Sequence, residues 1–283
     1  MILITGAAGK TGQAVIRALT RKGEQTRGMV HRVEQTELVR NAGARDIVIG
    51  DLLDREAIQK ALVGADAAYL ICPNVHPKEF EIAQGVIAAA KAADRPRIVY
   101  HSVMYPQIES MPHHWQKLRV EQQLIMSRLP FTILQPASYM QNILAYWDAI
   151  RQQGEYLVPY SIASIFSPVD LEDIAEIAGQ ILTNPGHDGS IYMLAGPQRI
   201  SSLDMADLIA EFLGIKIKAK VQPLDSWIAI AKQDQMAPYS IDALVKMFNY
   251  YDRFGFAGSS GILEYLLGRP AAAFSQFLAR PTK

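Results

Sequence analysis

Gly6, Gly9 and Gly12 follow one another at three-residue spacing directly behind Ile2-Leu3-Ile4 and Thr5. Glycines at such spacing act by letting backbone approach what a side chain would keep away, and the guest that suits bare amides is a phosphate. Gly6 permits a tight turn, Gly9 lets the chain come close to a pyrophosphate, and Gly12 allows the next helix to pack near the strand. Ala8, Lys10 and Thr11 complete the loop, and Lys10 brings a cation to it. Val15, Ile16 and Leu19 then fall on one helical stripe, so the amides and positive dipole end of that helix would face the phosphates. With a strand before it and a helix after it, the loop reads as a dinucleotide site.

The next expected strand ends on His31-Arg32. An acidic residue there would accept hydrogen bonds from a ribose 2′-hydroxyl, whereas a guanidinium pairs with a phosphate. Arg32 therefore favours NADP(H) over NAD, with Lys10 as a second cation; a solvated strand-end arginine is the plainer alternative.

The elements that must hold these residues follow from the apolar pattern. Strands are predicted over residues 2–4, 25–31, 46–49, 67–71, 97–101 and 131–134, and helices over 13–22, 34–42, 54–62, 79–93 and 114–126. That alternation predicts an α/β fold, a doubly wound parallel Rossmann-like sheet. Beyond Pro136 it loosens, with helices over 140–152, 170–182, 203–212, 242–251 and 261–267 and a strand over 191–194. Residues 1–137 are read as the NAD(P)-binding core, and 138–283 as remaining sheet elements interleaved with a smaller, mostly helical substrate lobe. Ligand is expected outside the carboxyl ends of the strands, in the cleft between the lobes.

The 283 residues are 49% apolar, enough for a sizeable core, and 28 Lys and Arg balance 28 Asp and Glu. Zero net charge gives no reason to expect nucleic acid or an anionic membrane as partner. Cys72 is alone, which rules out an internal disulfide and a cysteine metal cluster, and packing is its ordinary role. No leader opens the chain, and the apolar stretch 82–93 is interrupted by Gln84, Gly85 and Lys91. A cytoplasmic protein is expected, and with no His-x-x-x-His pattern no metal is.

The loop spacing, with Thr5 ahead of it, resembles the extended or atypical branch of the short-chain dehydrogenase/reductases. Three further blocks narrow this: Phe131 to Asn142 around Pro136, Ser167 to Ala175, and Tyr192 to Pro197 followed by Ser201 to Ala206. With Leu267-Gly-Arg-Pro270 before a last helix carrying Phe274 and Phe277, they resemble the NmrA-like family over essentially the full length. That family includes NADPH-dependent quinone reductases, enzymes of isoflavones and similar phenylpropanoids, and NADP-binding regulators. The resemblance implies that Asp51 receives the adenine amino group with Leu52 packed on the ring. It implies that Cys72, Pro73 and Asn74 line the ribose and nicotinamide, with Tyr139 and Asn142 near the nicotinamide end. Ser102 takes the place of the superfamily's serine, where it would bind a substrate oxygen, unless it only forms a turn.

Hydride-transferring relatives carry Tyr-x-x-x-Lys on the helix after the fifth strand. Here the lysine is Lys117 and the tyrosine's place is taken by His113, with His114 beside it. Either Lys117 holds the ribose while His113, His114 or water supplies the proton, or proton delivery is weak and the chain senses the cofactor. Met140, Tyr146, Trp147, Tyr160, Trp227, Met236, Tyr239 and Phe248 would line an apolar substrate pocket or simply fill core. The leading expectation is an NADP(H)-binding oxidoreductase acting on a quinone or another small apolar carbonyl compound. The alternative is a non-catalytic NADP(H)-sensing regulator with a protein partner, and a homodimer is compatible with either.

Overall fold

Strands buried on both faces need helices on both sides, and the computed structural model, which describes residues 1–280, is built that way. Residues 281–283, the end of the expected 138–283 span, lie outside the described residues. The chain runs β1 (Ile2–Ile4), α1 (Lys10–Arg21), β2 (Thr26–Val30), α2 (Thr36–Asn41), β3 (Asp46–Ile49), α3 (Arg55–Leu62), β4 (Ala67–Leu70), α4 (Glu79–Ala92) and β5 (Arg97–His101). It continues through α5 (Pro112–Ser127), β6 (Phe131–Pro136), α6 (Trp147–Gln153), β7 (Glu155–Val158), α7 (Leu171–Thr183) and β8 (Ser190–Leu194). The remaining elements are α8 (Ser202–Leu213), β9 (Lys218–Val221), α9 (Leu224–Gln233), α10 (Pro238–Phe254), α11 (Gly261–Leu267) and α12 (Phe274–Leu278).

Seven strands form one sheet in the order β3-β2-β1-β4-β5-β6-β8. β1 lies inside it, third of the seven, with Ile2 opposite Thr26 on one side and Ala67 on the other, both pairs parallel. The doubly wound parallel sheet is as expected. Every residue of β1 and β4 is buried, so neither strand has a polar face. Leu3, Leu70, Ile98 and Ile133 pack against Ile58 and Leu62 of α3, Ile82 and Val86 of α4, and Val120 and Leu124 of α5. The helices thus cover the sheet along stripes of i, i+3, i+4 spacing.

The chain divides into two compact units. The first comprises Met1–Gln107, His113–Gln135 and Ile174–Tyr192; the second comprises Ile108–Pro112, Pro136–Asp173 and Met193–Lys283. Within the second, β7 and β9 make a separate two-stranded parallel sheet. Tyr160, Phe166, Tyr251 and Phe256 form a cluster of tilted and edge-to-face rings, with Phe248 and Trp227 joined at a 4.8 Å ring separation. Phe248 and Phe166 are buried, so these aromatics fill core.

The structure departs from the expected elements in a few places. Residues 33–35 form a 3-10 turn before the short α2, where the sequence predicts one helix over 34–42. β6 runs through Pro136, which sits at the strand end where no ladder donor is demanded of it. The expected helix over 140–152 divides into a 3-10 segment, Met140–Tyr146, and α6. β7, β9 and α9 are additions to the expected elements; β9 is Lys-Ala-Lys-Val, four residues held by backbone pairing more than by apolar alternation.

Several motif residues of the second unit serve as joints. Ser201 caps α8 and is capped in return by Asp204. Asp173, almost fully buried, accepts a hydrogen bond from the Ala272 amide at 2.8 Å and pairs with Arg269 at 2.9 Å. Removing that carboxylate leaves a buried amide without an acceptor, which costs about 1–3 kcal/mol. Asp173→Ala is expected to lower unfolding stability by about that amount, read from the urea midpoint, with Asp173→Asn losing less.

Candidate functional site

The turn leaving β1 is set by Thr5. Its buried hydroxyl donates to the Ile71 carbonyl at 2.9 Å and accepts from the Ile71 amide at 2.8 Å, clamping the ends of β1 and β4 together. Gly6 then takes φ +56°, a left-handed conformation that costs a side-chain-bearing residue. At Gly12 a Cβ would lie 2.5 Å from the Gly6 carbonyl oxygen and 2.7 Å from the Ala7 Cα. Only glycine lets α1 sit that close to the turn. α1 begins behind Gly9 with no side-chain cap and no acidic residue in its first turn, so its positive end is left for an external anion. Ala8 holds the Gln13 side chain through its carbonyl, Thr11 is buried, and Lys10 at the loop has its pKa lowered by partial burial.

At the ends of the neighbouring strands the expected cofactor residues come out on exposed turns. Arg32 follows β2, with its amide donating to Gln35 Oε1 at 3.0 Å, and its side chain is exposed. Asp51 follows β3 and accepts from the Leu53 amide at 2.8 Å; its other carboxylate oxygen is 3.9 Å from His31 Nδ1. Leu52 packs on the core, and Asp54 caps α3 by accepting from the Glu56 amide. Cys72 is buried, while Pro73 and Asn74 are exposed and Val75 is buried at φ 47°, which is strained for a β-branched residue.

Beyond that loop lies a group of charges inside the first unit. Lys117 Nζ is 2.6 Å from Glu79 Oε1 and 3.4 Å from the His101 carbonyl oxygen. Glu79 is fully buried, and the same oxygen accepts the Tyr100 hydroxyl at 3.0 Å. Burial and the Glu79 charge hold the Tyr100 phenol well above its ordinary value, so it is a neutral donor. Ser102, expected to bind a substrate oxygen, is buried and donates its one proton to Glu121, whose carboxylate also accepts from Gln135 at 3.0 Å. Its hydroxyl is directed into the protein. Burial raises the Glu121 carboxyl.

The NmrA-like family model matches residues 1–273. The chain belongs to the NmrA-like family. An NAD(P)H azoreductase of Xenophilus azovorans is 30% identical to this NmrA-like chain, over 98% of the chain and 96% of the relative. Among solved structures, a quinone oxidoreductase of Escherichia coli complexed with NADPH superposes with a TM-score of 0.85 at 23% identity, covering 99% of both chains. A triphenylmethane reductase of Citrobacter complexed with NADP(H) gives 0.84 at 21% identity, over 98% of this chain and 99% of the other. Both share the fold.

In this NmrA-like protein the two histidines of α5 are buried. His114 Nδ1 donates to the Tyr105 carbonyl at 3.1 Å, and His113 packs edge-on against it at 4.6 Å between ring centres. His113 Nδ1 is buried and has no hydrogen-bond partner among the described residues. Burial, helped by His114 and Lys117, pushes His113 down to about 3. His114 falls to about 4 and His101, bonded to the Tyr69 hydroxyl, to about 3. All three are neutral at physiological pH, so an imidazolium is not the resident acid. Tyr139 and Asn142 lie in the second unit on one turn, where the Asn142 amide donates to the Tyr139 carbonyl at 3.0 Å.

Glu79, Tyr100 and Glu121 are site residues that the sequence motifs do not single out. Their signal is phase: Glu79 shares a stripe with Ile82, Ala83 and Val86, and Glu121 with Lys117 and Leu124. A charge on a core stripe must meet a partner.

The buried histidines make stability depend on pH. In the unfolded chain each protonates near 6.5, whereas in the fold each stays neutral down to about 3 or 4. Their contribution is present above pH 6.5 and is lost as pH falls through that window, because the unfolded state binds the extra protons. Glu121, raised by burial, works in the opposite sense as one group against three. The urea midpoint is expected to be lower at about pH 5 than at about pH 7, with a shallower fall in a His113→Gln/His114→Gln variant.

Proposed function

We propose that this protein is an NADP(H)-dependent oxidoreductase that reduces quinones or other small, conjugated apolar acceptors. The observation that carries the reading is the start of α1: an uncapped helix end, free of acidic residues, reached through a turn that tolerates no Cβ at Gly12. Such a cradle fits a pyrophosphate. The relatives, an NAD(P)H azoreductase and proteins solved with NADPH or NADP(H), support the same cofactor.

Gly6, Ala8, Gly9, Lys10, Thr11 and Gly12 would hold the pyrophosphate, Arg32 the 2′-phosphate, and Asp51 with Leu52 the adenine. Cys72, Pro73 and Asn74 would flank the nicotinamide half, and Lys117 would face the ribose. When bound, the cofactor supplies a hydride. The chain's own part in the chemistry is electrostatic: Lys117 is a fixed cation beside neutral histidines, favouring negative charge on the acceptor oxygen. A reduced quinone is a stabilised phenolate that water can protonate, so the tyrosine replaced by His113 is dispensable for such acceptors. A cytoplasmic setting agrees with this cofactor, and among the described residues no helix is long and apolar enough to cross a membrane.

Purified protein with NADPH is expected to reduce members of a quinone and azo-dye panel well above the uncatalysed rate, followed by NADPH absorbance. NADPH binding with no turnover on any acceptor would instead favour a sensor. Arg32→Ala is expected to reduce the preference for NADPH over NADH by about tenfold in a fluorescence titration, the loss of one charge-assisted phosphate contact. An unchanged preference would move that role to Lys10.

A further inference from the structure

The carboxylate of Glu79 stands where the loop after β4 becomes α4, and it is 0% exposed. One of its oxygens receives both the Lys117 ammonium at 2.6 Å and the Tyr100 hydroxyl at 3.0 Å, while the other is buried with no hydrogen-bond partner among the described residues. Cys72, at the start of the same loop, points its thiol at the Glu79 carbonyl, 3.9 Å away. A buried charge pair of this kind is not needed for stability, since apolar residues of similar volume commonly serve as well. Its geometry has another effect. The loop carrying Pro73 and Asn74 and the helix carrying Lys117 meet at one residue, Glu79, the Cys72 thiol at its carbonyl and the ammonium at its carboxylate.

We propose that Glu79 is a positioning residue for Lys117, fixing where its ammonium stands and keeping it charged, and thereby tying the loop after β4 to the cation that faces the cofactor ribose. This rests on the cofactor reading above. Lys117 also faces Tyr100 and His101 of β5, His113, His114 and Glu121 of α5, and Cys72. The histidines, the phenol and the thiol are neutral, and Glu121 is held inward by Ser102 and Gln135. Glu79 is therefore the anion in direct contact with the ammonium.

The test has one readout without cofactor and one with it. In the unliganded protein, the rate at which trace acetic anhydride labels Lys117, followed by peptide mass spectrometry across pH, reports the fraction of neutral amine. Glu79→Gln is expected to move the labelling midpoint down by about one pH unit or more, because the amine stays buried but has lost its anion. The same variant should weaken NADPH binding by about tenfold and move the alkaline limb of its affinity profile to lower pH. Tyr100→Phe, which leaves the ion pair in place, should move neither midpoint nor limb by a comparable amount. If Glu79→Gln is too unstable to purify, Glu79→Asp keeps the charge one methylene further back and should weaken NADPH binding in a protein that still melts cooperatively well above the assay temperature. A Lys117 midpoint equal to wild type in Glu79→Gln, or wild-type NADPH affinity in Glu79→Asp, overturns the proposal. Failure of the wild type to bind NADPH overturns the cofactor reading, and the inference with it.

Discussion

The closeness of α1 to the turn behind β1 is the constraint from which the rest of the first unit follows. Because a Cβ at Gly12 would fall on the Gly6 carbonyl and on Ala7, helix and turn meet backbone to backbone, with the uncapped amino end of α1 directly behind the turn. Thr5 closes the other side by joining β1 to β4, so the turn cannot widen without breaking both of its bonds to Ile71. The strand ends that carry Arg32, Asp51, Cys72 and Ser102 belong to the same parallel sheet and therefore open toward the same edge.

Behind that edge the protein holds several ionisable groups in a dry environment. Burial answers most of them by neutralisation: three histidines, Tyr100 and Cys72 are all driven toward their uncharged forms. Glu79 and Lys117 are answered by each other, at one short contact. Local charge is thus concentrated at one ion pair, where a low dielectric makes its direction matter more than its number. The second unit uses buried charge differently, with Asp173 spent on the Ala272 amide and Arg269, and Asp170 on Gln141 and Arg280.

How much of this is legible in the sequence depends on whether the signal is local. Glycine spacing and the alternation of strands with helices are local, and they lead to the loop and the sheet. Glu79 is hidden because an acidic residue in a first helical turn already has an ordinary explanation in the helix dipole. Only the phase of Ile82, Ala83 and Val86 turns it inward. His113 and His114, following Pro112, read equally as a solvated start, and it is tertiary packing that buries them. β7 and β9 escape notice because each is four residues long and finds its partner far along the chain, Glu155 opposite Lys218. The family blocks around Asp173 and Ser201 are visible as motifs, but their work as joints emerges only in three dimensions.

The single thiol of the chain sits in the loop just after β4, 5% exposed and raised by burial out of its ordinary range. Conjugated acceptors of the quinone kind are also electrophiles, and what they arylate is a thiolate. By withdrawing Cys72 and holding it protonated, the fold keeps its one thiol out of the thiolate form that such compounds attack.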